Sequence, residues 1–176
     1  MALALAVYIA KVQRKKVAYI RLADENDLSD KKTKALWSMA KAADFIENNA
    51  CFSYEGIDVY PALSNVSALS VYRSCYDFVL TDMGKSARWA DEDIFMCFEK
   101  VLCFVSFSLF GKMLGEEEVI FLQKKDMLEV GLYMHNLSET DRREYEKKYG
   151  RIIRAPYITD VSHFTKAEKE RLYEVY

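Results

Sequence analysis

The chain has 176 residues, of which 51% are hydrophobic and 30% are charged, and its formal net charge is −2. This composition is typical of a globular domain that buries most of its apolar side chains. Only two prolines and six glycines are present, which excludes collagen-like, low-complexity and linker-rich proteins. We therefore expect one domain over residues 1–176.

The positive charge is concentrated near the beginning of the chain. Residues 1–41 carry nine lysines and arginines against four acids, whereas the remaining residues carry 16 against 23. Such a division can steer association with a charged partner. A solvated surface whose charges happen to segregate is the alternative interpretation.

Residues 2–22 favour a β-hairpin. Large apolar side chains alternate with smaller ones from residue 3 to residue 10, and a second apolar run covers residues 17–22. A period of two is typical of strands, and the basic segment at residues 13–16 would form the connecting loop. A helix over residues 2–12 is the competing interpretation, because alanine and leucine are good helix formers.

A helix and a second hairpin are predicted next. Ser29 is a suitable N-cap, and apolar residues between 36 and 46 recur at helical spacing. Residues 52–54 and 57–60 then read as two short strands around Glu55 and Gly56, because glycine supplies the positive φ of a tight turn.

The sequence after residue 65 favours helices. We predict them over 66–82, 91–113, 116–135, from Ser138 to Gly150, and after a capping pair formed by Thr165 and Glu168. Residues 94–110 are largely apolar, so the helix over 91–113 would be the buried centre of this region. Glu99 and Lys100 interrupt the apolar run, and we therefore do not expect it to span a membrane.

These patterns together predict an α+β fold that is predominantly α-helical. A small N-terminal antiparallel sheet of hairpins with one helix would occupy residues 1–62. A helical bundle around the apolar helix over 91–113 would occupy residues 63–176.

The cysteines and histidines indicate neither a disulfide framework nor a zinc site. Cys51, Cys75, Cys97 and Cys103 lie in apolar surroundings and form no CxxC pair, so reduced thiols in a cytoplasmic protein are expected. Neither His135 nor His163 has a partner at the short spacing of zinc ligands. We predict no metal and no cofactor.

No motif for catalysis is found. The sequence contains neither GxSxG nor GxxxxGK[ST], which serve nucleophilic catalysis and phosphate binding. The acidic triplets at residues 91–93 and 116–118 precede predicted helices, where the helix dipole favours negative charge. We therefore predict no catalytic residue.

Two surfaces are candidates for binding a partner. One is the predicted basic hairpin, and the other is the tyrosine-rich last third of the chain, since tyrosine is enriched at interfaces. The predicted partner-binding residues are Lys11, Arg14, Lys15, Lys16, Arg21, Tyr145 and Tyr149.

The sequence thus favours a non-enzymatic binding or inhibitory protein that acts through contacts with another protein. A nucleic-acid-associated protein that uses the basic hairpin is one alternative, because lysine and arginine bind phosphates. A small enzyme whose site combines residues distant in sequence is the other.

Overall fold

The computed structural model describes residues 1–22, 31–42, 51–84, 97–107, 113–114, 116–124, 132–135 and 139–175. The elements of the first half are α1 (Ala2–Gln13), β1 (Val17–Leu22), α2 (Lys31–Ala42), β2 (Phe52–Tyr54), β3 (Ile57–Leu63), α3 (Asn65–Tyr72) and β4 (Phe78–Asp82). Those of the second half are β5 (Phe104–Phe107), β6 (Met113–Leu114), α4 (Glu116–Lys124), β7 (Leu132–His135), α5 (Glu139–Tyr149), β8 (Ile152–Arg154) and α6 (Lys166–Val175).

The first sheet has the strand order β2-β3-β1-β4. β1 is parallel to both of its neighbours, so that Ala18 pairs with Asp58 of β3 and with Val79 of β4. β2 is antiparallel to β3, to which it is joined by a tight turn. The carboxyl ends of the parallel strands β3, β1 and β4 therefore lie at the same end of the sheet.

Helices cover both faces of this sheet. Successive side chains of a strand point to opposite faces. Val17 and Tyr19 of β1 belong to a core cluster that includes residues of α1, α2 and α6, whereas Ala18 and Ile20 pack with residues of α3. The result is an α/β/α arrangement with β1 buried in the middle layer.

The second sheet has the order β6-β5-β7-β8, with β5, β7 and β8 parallel and β6 antiparallel. Val105 of β5 and Ile152 of β8 pack against Val119 of α4 and Tyr149 of α5. Ile153 of β8 belongs to the core cluster of the first sheet, so the two sheets share buried side chains.

The predicted helical bundle is wrong, and so is the predicted antiparallel N-terminal sheet. The structure is an α/β fold with two largely parallel sheets. Residues 2–13 form α1 rather than a strand, as the competing interpretation allowed. α1 is buried at every position from Ala4 to Ile9. The alternation of large and small apolar residues therefore does not separate a buried face from an exposed one, as it would in a half-exposed strand. β1 is a strand as predicted, but it pairs with β3 and β4 instead of with residues 2–12.

The helix predicted over 66–82 is wrong in part. The described residues of the helix predicted over 91–113 form no helix. α3 ends at Tyr72 and is followed by β4, and the described part of 91–113 contains β5 and β6. Parallel strands that are covered on both faces read as continuous apolar runs, which periodicity alone does not distinguish from buried helices. The predicted helix over 116–135 is likewise divided, into α4 and β7.

Four local predictions are confirmed. α2 is a helix, although Ser29 and residues 43–50 lie outside the described residues. β2 and β3 form the predicted hairpin. α5 ends at Gly150, whose φ is 92°, and α6 begins at the predicted pair of Thr165 and Glu168. Within the described ranges, no helix combines the length and the apolar character needed to cross a membrane.

Candidate functional site

Charged side chains meet inside the fold where β1 and β4 end. Arg21 is the fifth residue of β1, and it pairs across the ladder with Asp82, the last residue of β4. In open parallel sheets, the crevice beyond the carboxyl ends of the strands is the usual place for a ligand. We therefore take this end of the sheet as the candidate site.

Asp82 is the centre of the site, and its carboxylate accepts hydrogen bonds from three donors. Its Oδ1 accepts from Arg21 Nη1 at 2.7 Å and from the backbone N–H of Gly84 at 2.9 Å. Its Oδ2 accepts from the hydroxyl of Tyr19 at 3.0 Å, and Lys32 Nζ lies 3.5 Å from the same oxygen. The carboxylate is thus held in one orientation by groups from β1, α2 and the segment after β4.

The ion pair between Arg21 and Asp82 is removed from water. The side chain of Arg21 is 7% exposed and that of Asp82 is 14% exposed. Burial by itself raises the pKa of the Asp82 carboxyl, but the charges of Lys32 and Arg21 and the hydrogen bonds from Gly84 and Tyr19 together outweigh burial, so the pKa lies below its usual value of 3.8. The carboxylate is therefore charged at neutral pH and has little capacity to act as a base.

Arg21 also fills the space next to Gly84. A Cβ atom placed on Gly84 would lie 2.7 Å from Arg21 Nη2 and 2.8 Å from Nη1. The φ of Gly84 is +75°, a conformation that residues with a Cβ rarely adopt. Glycine at this position lets the backbone approach the guanidinium and complete the enclosure of the ion pair.

Lys32 adds a positive charge beside the Arg21–Asp82 pair. It lies in the first turn of α2, where the helix dipole adds a partial positive charge. A helix N-terminus combined with a lysine favours an anion, phosphate included. No group of three or more potential metal-ligating side chains occurs in the described ranges.

The predicted basic hairpin is instead the C-terminal end of α1 and the segment that follows it. Cations are favoured there by the helix dipole, and Arg14 adopts the left-handed conformation that ends the helix, with φ 55°. Lys11 forms an ion pair with Glu55, Lys16 contacts Cys75, and Arg14 and Lys15 are exposed. Arg21 is separated from these residues and belongs to the buried ion pair.

The two predicted tyrosines lie together on α5. The rings of Tyr145 and Tyr149 are stacked with 6.0 Å between their centroids. Tyr149 is buried, its hydroxyl donates to Glu116 of α4, and Lys148 Nζ lies 4.7 Å from its ring centroid. These contacts give Tyr149 a structural role between α4 and α5, and partner binding by either tyrosine stays a prediction.

The sequence analysis missed Tyr19, Lys32, Asp82 and Gly84. An apolar run that ends in an acid and a glycine, as Phe78–Gly84 does, is a signal for a buried strand whose last residue faces a crevice. That signal was assigned to the end of a helix. The pairing of Arg21 with Asp82 joins residues 61 positions apart, which no local pattern reveals.

The fold is similar to that of solved structures, although the sequence is not. No family model matches the chain, and no curated protein matches it in sequence. A plasmid partition protein from Borrelia burgdorferi superposes with a TM-score of 0.63 at 13% sequence identity, over 99% of this chain and 89% of that one. The MinC:MinD cell division protein complex of Aquifex aeolicus gives a TM-score of 0.49 at 15% identity, over 86% of this chain and 66% of that one. The first of these likenesses shows that the chain has the α/β fold of the partition protein, and at this identity it shows the fold alone.

Proposed function

We propose that this chain is a non-enzymatic binding protein that acts through contacts with another protein in the cytoplasm. The observation that carries the proposal is the buried ion pair of Arg21 and Asp82. It joins the ends of β1 and β4 through the chain's own side chains, at the end of the sheet where an enzyme of this architecture would hold its ligand.

The chemistry of the site supports the same proposal. Asp82 is charged and accepts three hydrogen bonds from the chain itself, and Arg21 lies against Gly84, so both groups are already engaged within the protein. General acid–base catalysis requires a group that exchanges protons near the working pH, and the lowered pKa of Asp82 is unsuited to that role.

The surface that we propose for the partner lies along α6. Tyr173 is 65% exposed, and Tyr157, in the segment before α6, is 78% exposed. Exposed tyrosines are common anchors of protein interfaces. A groove of about 490 Å³ between α5, β8 and α6 is lined by charged residues of both signs, including Arg171 and Glu174 on the same helix as Tyr173. A groove of this kind suits the polar rim of an interface.

Affinity purification of the intact protein, followed by a direct binding measurement with the purified partner, tests this proposal. Tyr157→Ala combined with Tyr173→Ala should weaken binding by about tenfold or more, because interface aromatics carry much of the binding energy. Arg14→Glu combined with Lys15→Glu alters the basic end of α1 and serves as the control. Equal binding by the tyrosine variant and wild type would refute the proposed surface, and a loss confined to the basic variant would move it to α1.

A phosphate-bearing ligand at the end of β1 is the second candidate function. It is favoured by Lys32, which lies 3.5 Å from Asp82 in the first turn of α2. Calorimetric titration with a magnesium–nucleoside triphosphate and with inorganic phosphate separates the two candidates. The binding-protein proposal expects no heat of binding in wild type. Binding that is lost in Lys32→Ala, together with hydrolysis, would make this chain an enzyme and overturn that proposal.

A further inference from the structure

A lysine and a cysteine are in direct contact at the amino ends of β1 and β4, opposite to the end of the sheet that holds Arg21 and Asp82. Lys16 Nζ lies 3.2 Å from Cys75 Sγ. Both residues are exposed, and each lies just before a strand, Lys16 before β1 and Cys75 before β4. An amine and a thiol are thus adjacent and open to small reagents.

The backbone holds the two segments together, so the contact does not depend on the lysine side chain alone. The backbone N–H of Lys16 donates to Asp77 Oδ2 at 2.8 Å. The carbonyl oxygen of Lys16 accepts from the N–H of Asp77 at 2.9 Å and from the N–H of Phe78 at 3.2 Å. Three hydrogen bonds therefore fix Lys16 beside the residues that follow Cys75.

Aromatic packing restricts the lysine further. Lys16 Nζ lies 4.9 Å from the centroid of the Tyr76 ring, within the range of a cation–π contact. The hydroxyl of Tyr76 donates to Asp58 Oδ2 at 2.7 Å, which anchors the ring to β3. The hydrogen bond to Cys75 raises the pKa of the Lys16 ammonium, as expected for a cation next to a sulfur acceptor.

We propose that Lys16 and Cys75 form a modification site at which a peroxide converts their contact into a covalent N–S bond. The Cys75 sulfur attacks one peroxide oxygen, the O–O bond breaks, the sulfur is oxidised to a sulfenic acid and the peroxide is reduced to water. The Lys16 ammonium then releases a proton to solvent, and the resulting free amine attacks the sulfur. The S–OH bond breaks, and the hydroxide leaves with the amine proton as a second water.

The surroundings favour oxidation of Cys75 over oxidation of Cys51. Cys51 is half-buried, and burial raises the pKa of its thiol, which lowers the fraction of reactive thiolate. Cys97 is exposed as Cys75 is, and it provides the matched comparison for reactivity that depends on exposure alone. The inference does not depend on the proposed binding function.

Treatment of the intact protein with hydrogen peroxide, followed by peptide mass spectrometry, tests the proposal. Wild type should yield a linked pair of peptides containing Lys16 and Cys75, lighter by two hydrogen atoms than the separate peptides and separated again by a thiol reductant. Cys97→Ser should yield the same product. Cys75→Ser should lose it entirely.

Lys16→Arg distinguishes covalent capture from a merely reactive cysteine, because arginine keeps the positive charge but lacks the amine. This variant should stop at sulfenic acid or more oxidised forms of Cys75. Oxidation of Cys75 to those same forms in wild type, a disulfide with Cys51, or preferential oxidation of Cys97 would each overturn the proposal. Circular dichroism of every variant shows whether it is folded.

Discussion

Arg21 and Asp82 illustrate how one buried ion pair couples stability to pH. Because the pKa of Asp82 is lowered in the folded protein, the folded state holds the carboxylate charged at pH values where the unfolded chain binds a proton. The stabilisation is fully present above the ordinary pKa of 3.8 and is lost as the pH falls below it.

We therefore expect the free energy of unfolding of wild type to fall steeply below about pH 4, and that of Asp82→Asn to fall less. At neutral pH, Asp82→Asn should cost about 3 kcal/mol, since it leaves Arg21 buried without its counter-ion. Urea denaturation across the pH range measures both effects. Glu144→Gln removes an exposed carboxylate and is the control. Parallel pH profiles for wild type and Asp82→Asn would contradict this explanation.

Gly84 allows a second prediction at the scale of single residues. Gly84→Ala combines a strained positive φ with a clash against Arg21, whereas Gly56→Ala, at φ +85°, has no atom within 4 Å of the added Cβ. The Gly56 substitution should cost about 1 kcal/mol from backbone strain alone. Gly84→Ala should cost clearly more, because Asp82 holds the guanidinium in place. Equal losses by thermal denaturation would show that Arg21 moves aside freely.

At the scale of elements, the helices that carry their own end signals are the ones that the sequence predicted well. The side chain of Glu168 accepts from the backbone N–H of Thr165 at 2.7 Å, and the N–H of Glu168 donates back to Thr165 Oγ1 at 3.3 Å. This reciprocal pair is local, so four residues of sequence suffice to recognise it. Gly150 marks the end of α5 in the same local way.

We expect Thr165→Ala to destabilise the protein by about 1 kcal/mol, because the first turn of α6 loses its cap. Lys166→Ala, one residue later on the exposed side, should change stability by less than about 0.5 kcal/mol. Chemical denaturation of both variants provides the measurement. Similar values for the two would mean that α6 is held by its packing and not by its cap.

The strands were harder to predict, for a physical reason. Val105 of β5 is buried against Val119 and Tyr149, whereas Phe104 beside it is 40% exposed. Both are large apolar residues, so residue type alone does not mark the exposed face of this strand. The parallel partners of β1 and β5 are distant in the chain, and a parallel pair of strands has no tight turn between them that the sequence could reveal. The candidate site depends on the parallel pairing of β1 with β4, which is why Arg21 was predicted as a partner-binding residue of a hairpin and not as half of a buried ion pair.

At the scale of the whole molecule, one core cluster joins both sheets to the terminal helices. Leu172 of α6 is fully buried in this cluster, which also contains Val7 of α1, Val59 of β3 and Ile153 of β8. The chain should accordingly unfold as one cooperative unit, as the predicted single domain requires.

Leu172→Ala should lower the free energy of unfolding by about 3 kcal/mol, through lost burial and the cavity left behind. The loss should appear equally in far-ultraviolet circular dichroism and in the fluorescence of Trp37, measured in a Trp89→Phe background. Tyr173→Ala, at the neighbouring exposed position, is the control for stability. Two separate transitions would show that the sheets unfold independently.

The position of β1 has a consequence for how the protein is made. Both of its partner strands are synthesised later, since Ala18 pairs with Asp58 and with Val79. A nascent chain must therefore carry α1 and β1 outside the ribosome with their apolar surfaces uncovered until β4 has emerged. Long-range pairing of this kind slows folding and leaves early segments open to chaperones and to aggregation. Translation speed through residues 58–82 should consequently influence the yield of native protein.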